Sequence, residues 1–566
     1  MRRIISLLFI IAVAGMCISC DTGNTGNFKI RLRLPIDDGD CRWSDSDDNT
    51  YCINSTDQIL LSIFSTSDPN EPYVYTDRRL FRVTSDRGGK EEFIRSLRSG
   101  NYYRFFVEVT NVNEKLKMTG GIDGVYYDDS ENYEVNIFLG AVGDFVRVVK
   151  DRSRYNSTSL QSYFDDSNGS SGSGAVALKN GDLFMSGGYC HYFEEYKDNA
   201  MIFDMKDLSS KSVARMRAPV QDHVVALVDD GSETGKVVIA FGETGQGMYS
   251  NAISIYDPET NNHRDIDYKE GLTMAKGITI DGEVYIVGGC STAQPGNKVY
   301  KVTRDLQVME YATLNQGRCN HSIADVSTYD EEGNINVRIL VVGGSTDAAG
   351  EEIITNNENF AEIISGNVSK PVNIVDRRGG DSTELLSRGL VSAAATNLSW
   401  DDSSYGPDIA VLAVGGFLQD GEGDNFRLMA NPNLFIFTEK DSDTWTYDVN
   451  GSPFNCARPS IANIATIEKS IPQFAAVNCK AVESSQIRRG NAREQTIFVV
   501  QVRRSRDSEL NLEILSASVR DSLMNENIDP ENGVFVDGPA TSNSLGQAFI
   551  FGTQYVYQIS GLGLPF

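Results

Sequence analysis

Five stretches of this 566-residue chain run as short apolar strands into glycine. They are Leu183-Phe-Met-Ser-Gly-Gly188, Val284-Tyr-Ile-Val-Gly-Gly289, Ile339-Leu-Val-Val-Gly-Gly344, Val411-Leu-Ala-Val-Gly-Gly416 and the weaker Val237-Val-Ile-Ala-Phe-Gly242. The final glycines, 188, 242, 289, 344 and 416, stand 54, 47, 55 and 72 residues apart. Self-similarity at such a period marks stacked supersecondary units, each unable to bury its own apolar face alone. A small-residue strand precedes every copy: Ala175 to Leu178, His223 to Val228, Gly277 to Ile280, His321 to Val326 and Leu390 to Thr396. Another strand follows, most clearly Ile253-Ser-Ile-Tyr-Asp-Pro-Glu-Thr-Asn261. A glycine pair suits a strand that ends in a tight bend against its neighbour, and small first strands suit a narrow axis.

On these residues, the stretch 146–566 resembles a kelch-type β-propeller. The resemblance implies four-stranded antiparallel blades around a central channel. Two features depart from the pattern: the fourth-strand Trp survives only at Trp445, with His263 near that place in the best copy, and the sixth copy has Phe474-Ala-Ala-Val-Asn-Cys479 instead of Gly-Gly. Six blades are expected, with first strands near 175, 223, 277, 321, 390 and 460. The tail, with Gln547-Ala-Phe-Ile-Phe-Gly552 and Tyr555-Val-Tyr-Gln-Ile559, either closes the ring against 143–165 or forms a degenerate seventh blade.

Residues 28–145 read as a separate all-β domain. In Phe28-Lys-Ile-Arg-Leu-Arg-Leu34 the apolar and basic residues alternate, the period of a half-buried strand. The segment Phe93 to Val109, with its Leu97, Gly100 and paired Tyr102 and Tyr103, resembles the leucine, turn, glycine, tyrosine signature of prealbumin-like and immunoglobulin-like sandwiches. The expected fold is therefore an N-terminal β-sandwich followed by a kelch-like propeller. Before it, Arg2 and Arg3 lead a short apolar run from Ile4 to Gly15 that ends at Ser19-Cys20. That run is too short to span a bilayer and has the order of an export signal. It resembles the lipobox of bacterial lipoproteins, although Cys17 stands where Leu is usual. The resemblance implies a signal over 1–19, lipid on Cys20 and a polar tether over 20–27. Export to an envelope membrane, the outer one by preference, is the expected address.

Cys17 leaves with the signal and Cys20 takes lipid, so seven cysteines remain, an odd number in a compartment that permits disulfides. In a propeller, the end of a second strand and the start of a first strand share one rim. That geometry pairs Cys290 with Cys319 and Cys456 with Cys479. Cys41 and Cys52 bracket an acidic loop and form the simplest local pair, leaving Cys190 as the odd thiol.

The net charge of −27 offers no footprint for a phosphate backbone, so nucleic acid is excluded as a partner. Catalytic patterns are scarce. The four histidines, His191, His223, His263 and His321, make no metal spacing, and His223 and His321 read as structural first-strand residues. Tyr189-Cys190-His191-Tyr192 has the residue types of a galactose-oxidase-like copper site, but neighbours on one strand point to opposite faces. Asp45 to Asn49 and Asp420 to Asp424 lack the bidentate Glu of a calcium loop. Neither a metal nor another cofactor is expected. One basic pattern stands out: Arg318, Arg388 and Arg458 precede first strands, with Arg217 and Lys276 at comparable points. Together they read either as a positive ring that takes an anionic ligand or as ties between blades. The function expected is non-catalytic binding of a protein or glycan by a lipid-anchored propeller; the alternative is a carbohydrate-active enzyme, galactose-oxidase-like or sialidase-like, on a propeller face.

Overall fold

The computed structural model describes residues 28–33, most of 53–148 and of 172–464, and the strands within 473–516 and 539–559. Across them the chain is all-β, and the helical residues are the single turn Asn357–Phe360.

Two sheets share the N-terminal core. In the smaller, Phe28–Arg33 lies between Glu91–Ile94, which is antiparallel to it, and Tyr133–Phe138, which is parallel. Alternation works here as read: Phe28, Ile30 and Leu32 are buried, while Lys29 and Arg31 reach Glu134 on the other face. The larger sheet has the order Val74–Arg82, Gln58–Thr66, Asn101–Thr110, Leu116–Tyr127, Gly140–Ala141. Its Ile59, Leu61, Ile63, Phe105, Val107 and Val109 meet the Phe28 face in one apolar cluster. Tyr103 fixes the entry to the central strand: its hydroxyl accepts the Arg98 N–H at 2.6 Å and donates to the Arg98 carbonyl at 3.1 Å. Tyr103→Phe removes both bonds and leaves the rest of the ring in place, so urea unfolding should show a loss of about 1–2 kcal/mol. An unchanged midpoint would show that the hydroxyl contributes nothing.

From Gly174 onward the strands form four-stranded antiparallel units that follow chain order. The first is Gly174–Ala177, Leu183–Ser186, Ala200–Asp204, Ser209–Ser212; the second is Val224–Val228, Lys236–Ala240, Ala252–Asp257, Asn262–Asp267; the third is Lys276–Ile280, Glu283–Val287, Lys298–Val302, Val308–Thr313. The fourth starts at Ser322–Asp325 and the fifth at Ala394–Asn397. They merge through a parallel pairing of residues 373–376 with 444–447 into an eight-strand path. Its two end strands lie side by side, where Ser322 Oγ donates to the Ala393 carbonyl at 2.8 Å, so the path nearly closes like a barrel. The long strand Thr444–Ile464 ends the fifth unit and, from Cys456 on, opens a sixth with Gln473–Ala481, Glu494–Arg504 and Leu510–Ser516.

The tail pairs with the expected segment and builds a four-stranded unit with it. Ala540–Ser542, Ala548–Phe551 and Val556–Ile559 pair in order, and Phe145–Val148 adds the fourth strand. Among the described residues seven such units stand where six were favoured, because a strand just after the N-terminal sheets completes the last one. Their first strands neighbour one another in sequence, and the last neighbours the first, where the Ala177 N–H donates to Thr541 Oγ1 at 3.1 Å.

The glycine pairs sit where units meet. The N–H of Gly188, Gly242, Gly289 and Gly344 donates to Val220, Leu272, Arg318 and Leu390 respectively, each just ahead of the next unit's first strand. At Gly288, with φ +61°, a Cβ would come within 2.5 Å of the Arg318 carbonyl oxygen. No side chain fits there, which is why this signal was readable from the sequence.

The N-terminal sheets touch the turns at one end of these units, termed the base. Asn136 Nδ2 donates to the Lys206 carbonyl at 2.6 Å, Gly124 lies against Asn180, and Phe138 packs with Met205, Leu208 and Phe549. First strands begin at the opposite end, termed the mouth.

Candidate functional site

Mouth geometry begins with a backbone feature that the sequence reading missed. Gly172, Asp222, Met274, Asn320 and Ser392 each stand ahead of a first strand with φ between +51° and +66°. The N–H of each of the last four donates to the carbonyl of the one before, at 2.8, 3.3, 3.4 and 2.7 Å. Asp and Asn tolerate this conformation, but Met and Ser do not favour it, so the arc of bonds between units holds the strain. Within the arc lies a cavity of about 260 Å³, lined by Ser173, Asp222, Lys276, Asn320, Ser392 and Ser460 among others. Its wall offers both hydrogen-bond donors and acceptors.

Measured against this arc, the basic candidates do not share one register. Arg217 lies five residues before Asp222, Arg388 four before Ser392, Arg318 two before Asn320, and Lys276 two after Met274. Loops of unequal length precede the first strands, so similar places in the sequence pattern fall at unlike points of the arc. Among the described side chains Lys276 alone of the five lines the cavity. Arg217 is exposed and meets Asp267 at 2.6 Å, a surface pair worth little. Arg388 Nε donates to the Gln419 carbonyl at 2.7 Å. Arg458 lies in the strand Thr444–Ile464, and its side chain falls outside those described.

Arg318 is fully buried. Its guanidinium donates to the carbonyls of Gly343 at 2.9 Å, Phe360 at 3.2 Å and Asn359 at 2.8 Å, and to Glu362 Oε1 at 2.6 Å. Glu362, itself fully buried, also accepts the N–H groups of Asn315 and Gln316 and the Ser369 hydroxyl. Burial pushes the Glu362 carboxyl upward, but Arg318 and these donors outweigh it and hold it below its ordinary value. Arg318 thus ties the fourth unit together and is closed to a ligand.

Both first-strand histidines are interior. His223 bonds Ser186 Oγ at 3.0 Å, and burial pulls its imidazole down to about 4. Burial first, then the charges of Arg318 and Lys276, hold His321 well below the ordinary histidine value. His263 takes the place expected of the fourth-strand Trp, stacking near Tyr256 and bonding Ser254 and the Ala214 carbonyl. Among the described residues no group of three or more His, Cys, Asp or Glu could hold a metal ion.

Cys290 and Cys319 form a disulfide at the mouth, with Cα atoms 5.3 Å apart. Cys190 is free and buried. Cys456 stands opposite Ala481, which places Cys479 near it on the adjacent strand, but both side chains lie outside those described, as do Cys20, Cys41 and Cys52 altogether.

Two more features flank these residues. An open groove of about 810 Å³ runs between the fourth and fifth units, where Arg338 and Glu439 neutralise each other. At the mouth, short hairpins follow the second strands of the first two units: Tyr189 pairs with Tyr196 across one, and Glu243 with Tyr249 across the other. The two rings of Tyr189 and Tyr196 meet edge to face at 4.9 Å. Gln221 Nε2, next to the cavity residue Asp222, donates to Glu243 Oε2 at 2.6 Å.

No family model matches the chain, and no curated protein matches it. Among solved structures, it is similar to one titled "Structure of YjhT", with a TM-score of 0.40 and 9% identity over 61% of this chain and 97% of that chain.

Proposed function

We propose that this chain is an exported lipoprotein whose seven units form a kelch-like β-propeller carried on an N-terminal β-sandwich, and that the propeller mouth binds a protein or glycan ligand without catalysis. The observation that carries the proposal is the polar cavity among the first-strand starts, at the end opposite the turns that contact the N-terminal sheets. A tether at Cys20 precedes those sheets, so the mouth would face away from the membrane. The Cys290–Cys319 bond agrees with an oxidising compartment.

Two measurements test this. Cys20→Ala should move the protein from the membrane fraction to the soluble fraction; equal membrane recovery of variant and parent would remove the lipid anchor from the proposal. For the mouth, the full chain is titrated with neutral, amino and uronic-acid oligosaccharides and with a displayed peptide library. Any ligand so found should bind at least about tenfold more weakly to Lys276→Glu, equivalent to about 1.4 kcal/mol. Affinity indifferent to that charge reversal would place the binding surface elsewhere.

A further inference from the structure

Aromatic clusters occur at several places in the molecule. Phe241, Tyr268 and Tyr300 contact one another around the core shared by the second and third units, and Tyr285 and Tyr311 sit under Lys301 against the core of the third and fourth. The Tyr189 and Tyr196 pair differs. It lies on a mouth hairpin, both rings half-buried, beside a polar cavity.

We propose that this rim of the first and second units is a saccharide subsite, in which a pyranose ring packs on Tyr189 and Tyr196 while Glu243 and Asp222 accept hydrogen bonds from its hydroxyls. The inference rests on the mouth being the binding face and names the class of ligand it takes. Three features carry it. First, antiparallel pairing sets Tyr189 opposite Tyr196, so two rings in edge-to-face contact stand together at the rim, and aromatic rings offer large contact area at low entropic cost. Second, the bridge between Gln221 and Glu243 fixes the second hairpin to the mouth arc, and the Gln221 amide holds one oxygen of the Glu243 carboxylate. Third, Gln221, which carries Glu243, is followed directly by Asp222, which lines the cavity, so the two carboxylates stand at one rim. Burial first, and then the Glu243 charge, push the Tyr196 phenol up to about 12, which keeps it a protonated donor.

The cavity wall decides between a saccharide and a simple cation. Beside Asp222 it is lined by Lys276, Ser173, Asn320, Ser392 and Ser460, of which Ser392 Oγ donates to Asn320 Oδ1 at 3.1 Å and Ser173 Oγ to the Gly187 carbonyl at 3.0 Å. Such a mixture of donors and acceptors matches a ligand whose every hydroxyl is both, and the ammonium of Lys276 disfavours a cationic guest.

The full chain, detergent-solubilised where it carries lipid, is titrated calorimetrically with hexaoses of β-glucose, β-mannose, β-xylose and N-acetylglucosamine and with oligogalacturonate. For any that bind, Tyr189→Ala and Tyr196→Ala should each weaken affinity roughly ten- to thirtyfold, the range of a tyrosine anchor. Tyr189→Phe should retain it within about threefold, because the stacking face survives. Melting midpoints of the variants confirm folding. If no oligosaccharide binds at about 1 mM, a ligand free energy near −4 kcal/mol, the saccharide assignment falls, and a peptide ligand sensitive to Lys276→Glu would leave the mouth proposal standing. If a saccharide binds and loses affinity in Lys276→Glu but not in the tyrosine variants, the subsite is wrong and the mouth right. A saccharide indifferent to all three overturns both.

Discussion

Glu362→Ala should lower stability by about 3–5 kcal/mol, the cost of leaving a buried charge without its partner. Arg318 and Glu362 have no solvent exposure, so neither can exchange the lost partner for water. Removing the carboxylate also strips acceptors from the Asn315 and Gln316 N–H groups. Glu362→Gln should cost less, since its amide oxygen still accepts. Arg318→Met combined with Glu362→Leu should fall between wild type and Glu362→Ala, because no uncompensated charge remains. Urea denaturation followed by tyrosine and tryptophan fluorescence measures all three; a loss below about 1 kcal/mol for Glu362→Ala would mean that the pair is replaceable by solvent.

Acid should act on the same joint. Glu362 has a carboxyl lowered relative to the unfolded chain, so its contribution is complete above the unfolded value and disappears as pH falls through the folded one. His223, at the joint of the first and second units, points the same way. Its imidazole, lowered to about 4 from 6.5, favours the folded state when neutral, so its contribution declines progressively from about pH 6.5 to about 4. Asp182 opposes them, raised to about 6 by burial and then by Asp204, and gains stability on protonation between about pH 6 and 4.

The sequence reading succeeded where one local rule admits one structure. Glycine pairs revealed the unit spacing because a side chain cannot fit between the second strand and its neighbour. First strands near 175, 223, 277, 321 and 460 were legible because small apolar residues recur there; the fifth begins at Ala394, a few residues after the expected 390. Leu116–Tyr127 was missed. Gly120, Gly121 and Gly124 interrupt its pattern, yet Gly120 is required where a Cβ would meet the Phe138 carbonyl oxygen at 2.4 Å. The basic candidates misled for a different reason. Charge type is visible in sequence, but whether Arg318 faces solvent or Glu362, 44 residues away, depends on tertiary packing. The tyrosine rim was partly legible: Tyr189 and Tyr192 were noticed as copper-ligand types, but the pairing with Tyr196 depends on a hairpin that no turn residue announced.

Loss of the Cys290–Cys319 bond should cost about 3–4 kcal/mol. The bond closes a loop with a sequence separation of 29, and the chain-entropy account assigns about that much to a loop of this size at 25 °C. Its position makes the cost local to the third and fourth units: Cys290 follows the glycine pair of one, and Cys319 precedes the first strand of the other. Arg318 is the adjacent residue, and its carbonyl accepts the Gly289 N–H, so disulfide and ion pair secure one joint. Cys290→Ser with Cys319→Ser should therefore be less than additive with Glu362→Ala, since either change already loosens what the other holds. Both cysteines are buried, so reductant should act on the native protein slowly, through opening of this joint. The decisive measurement is the mass of a tryptic digest alkylated in denaturant, with and without prior reduction. A 290–319 cross-linked peptide that disappears on reduction supports the bond; alkylation of both cysteines without reductant would remove it, and the predicted stability loss with it.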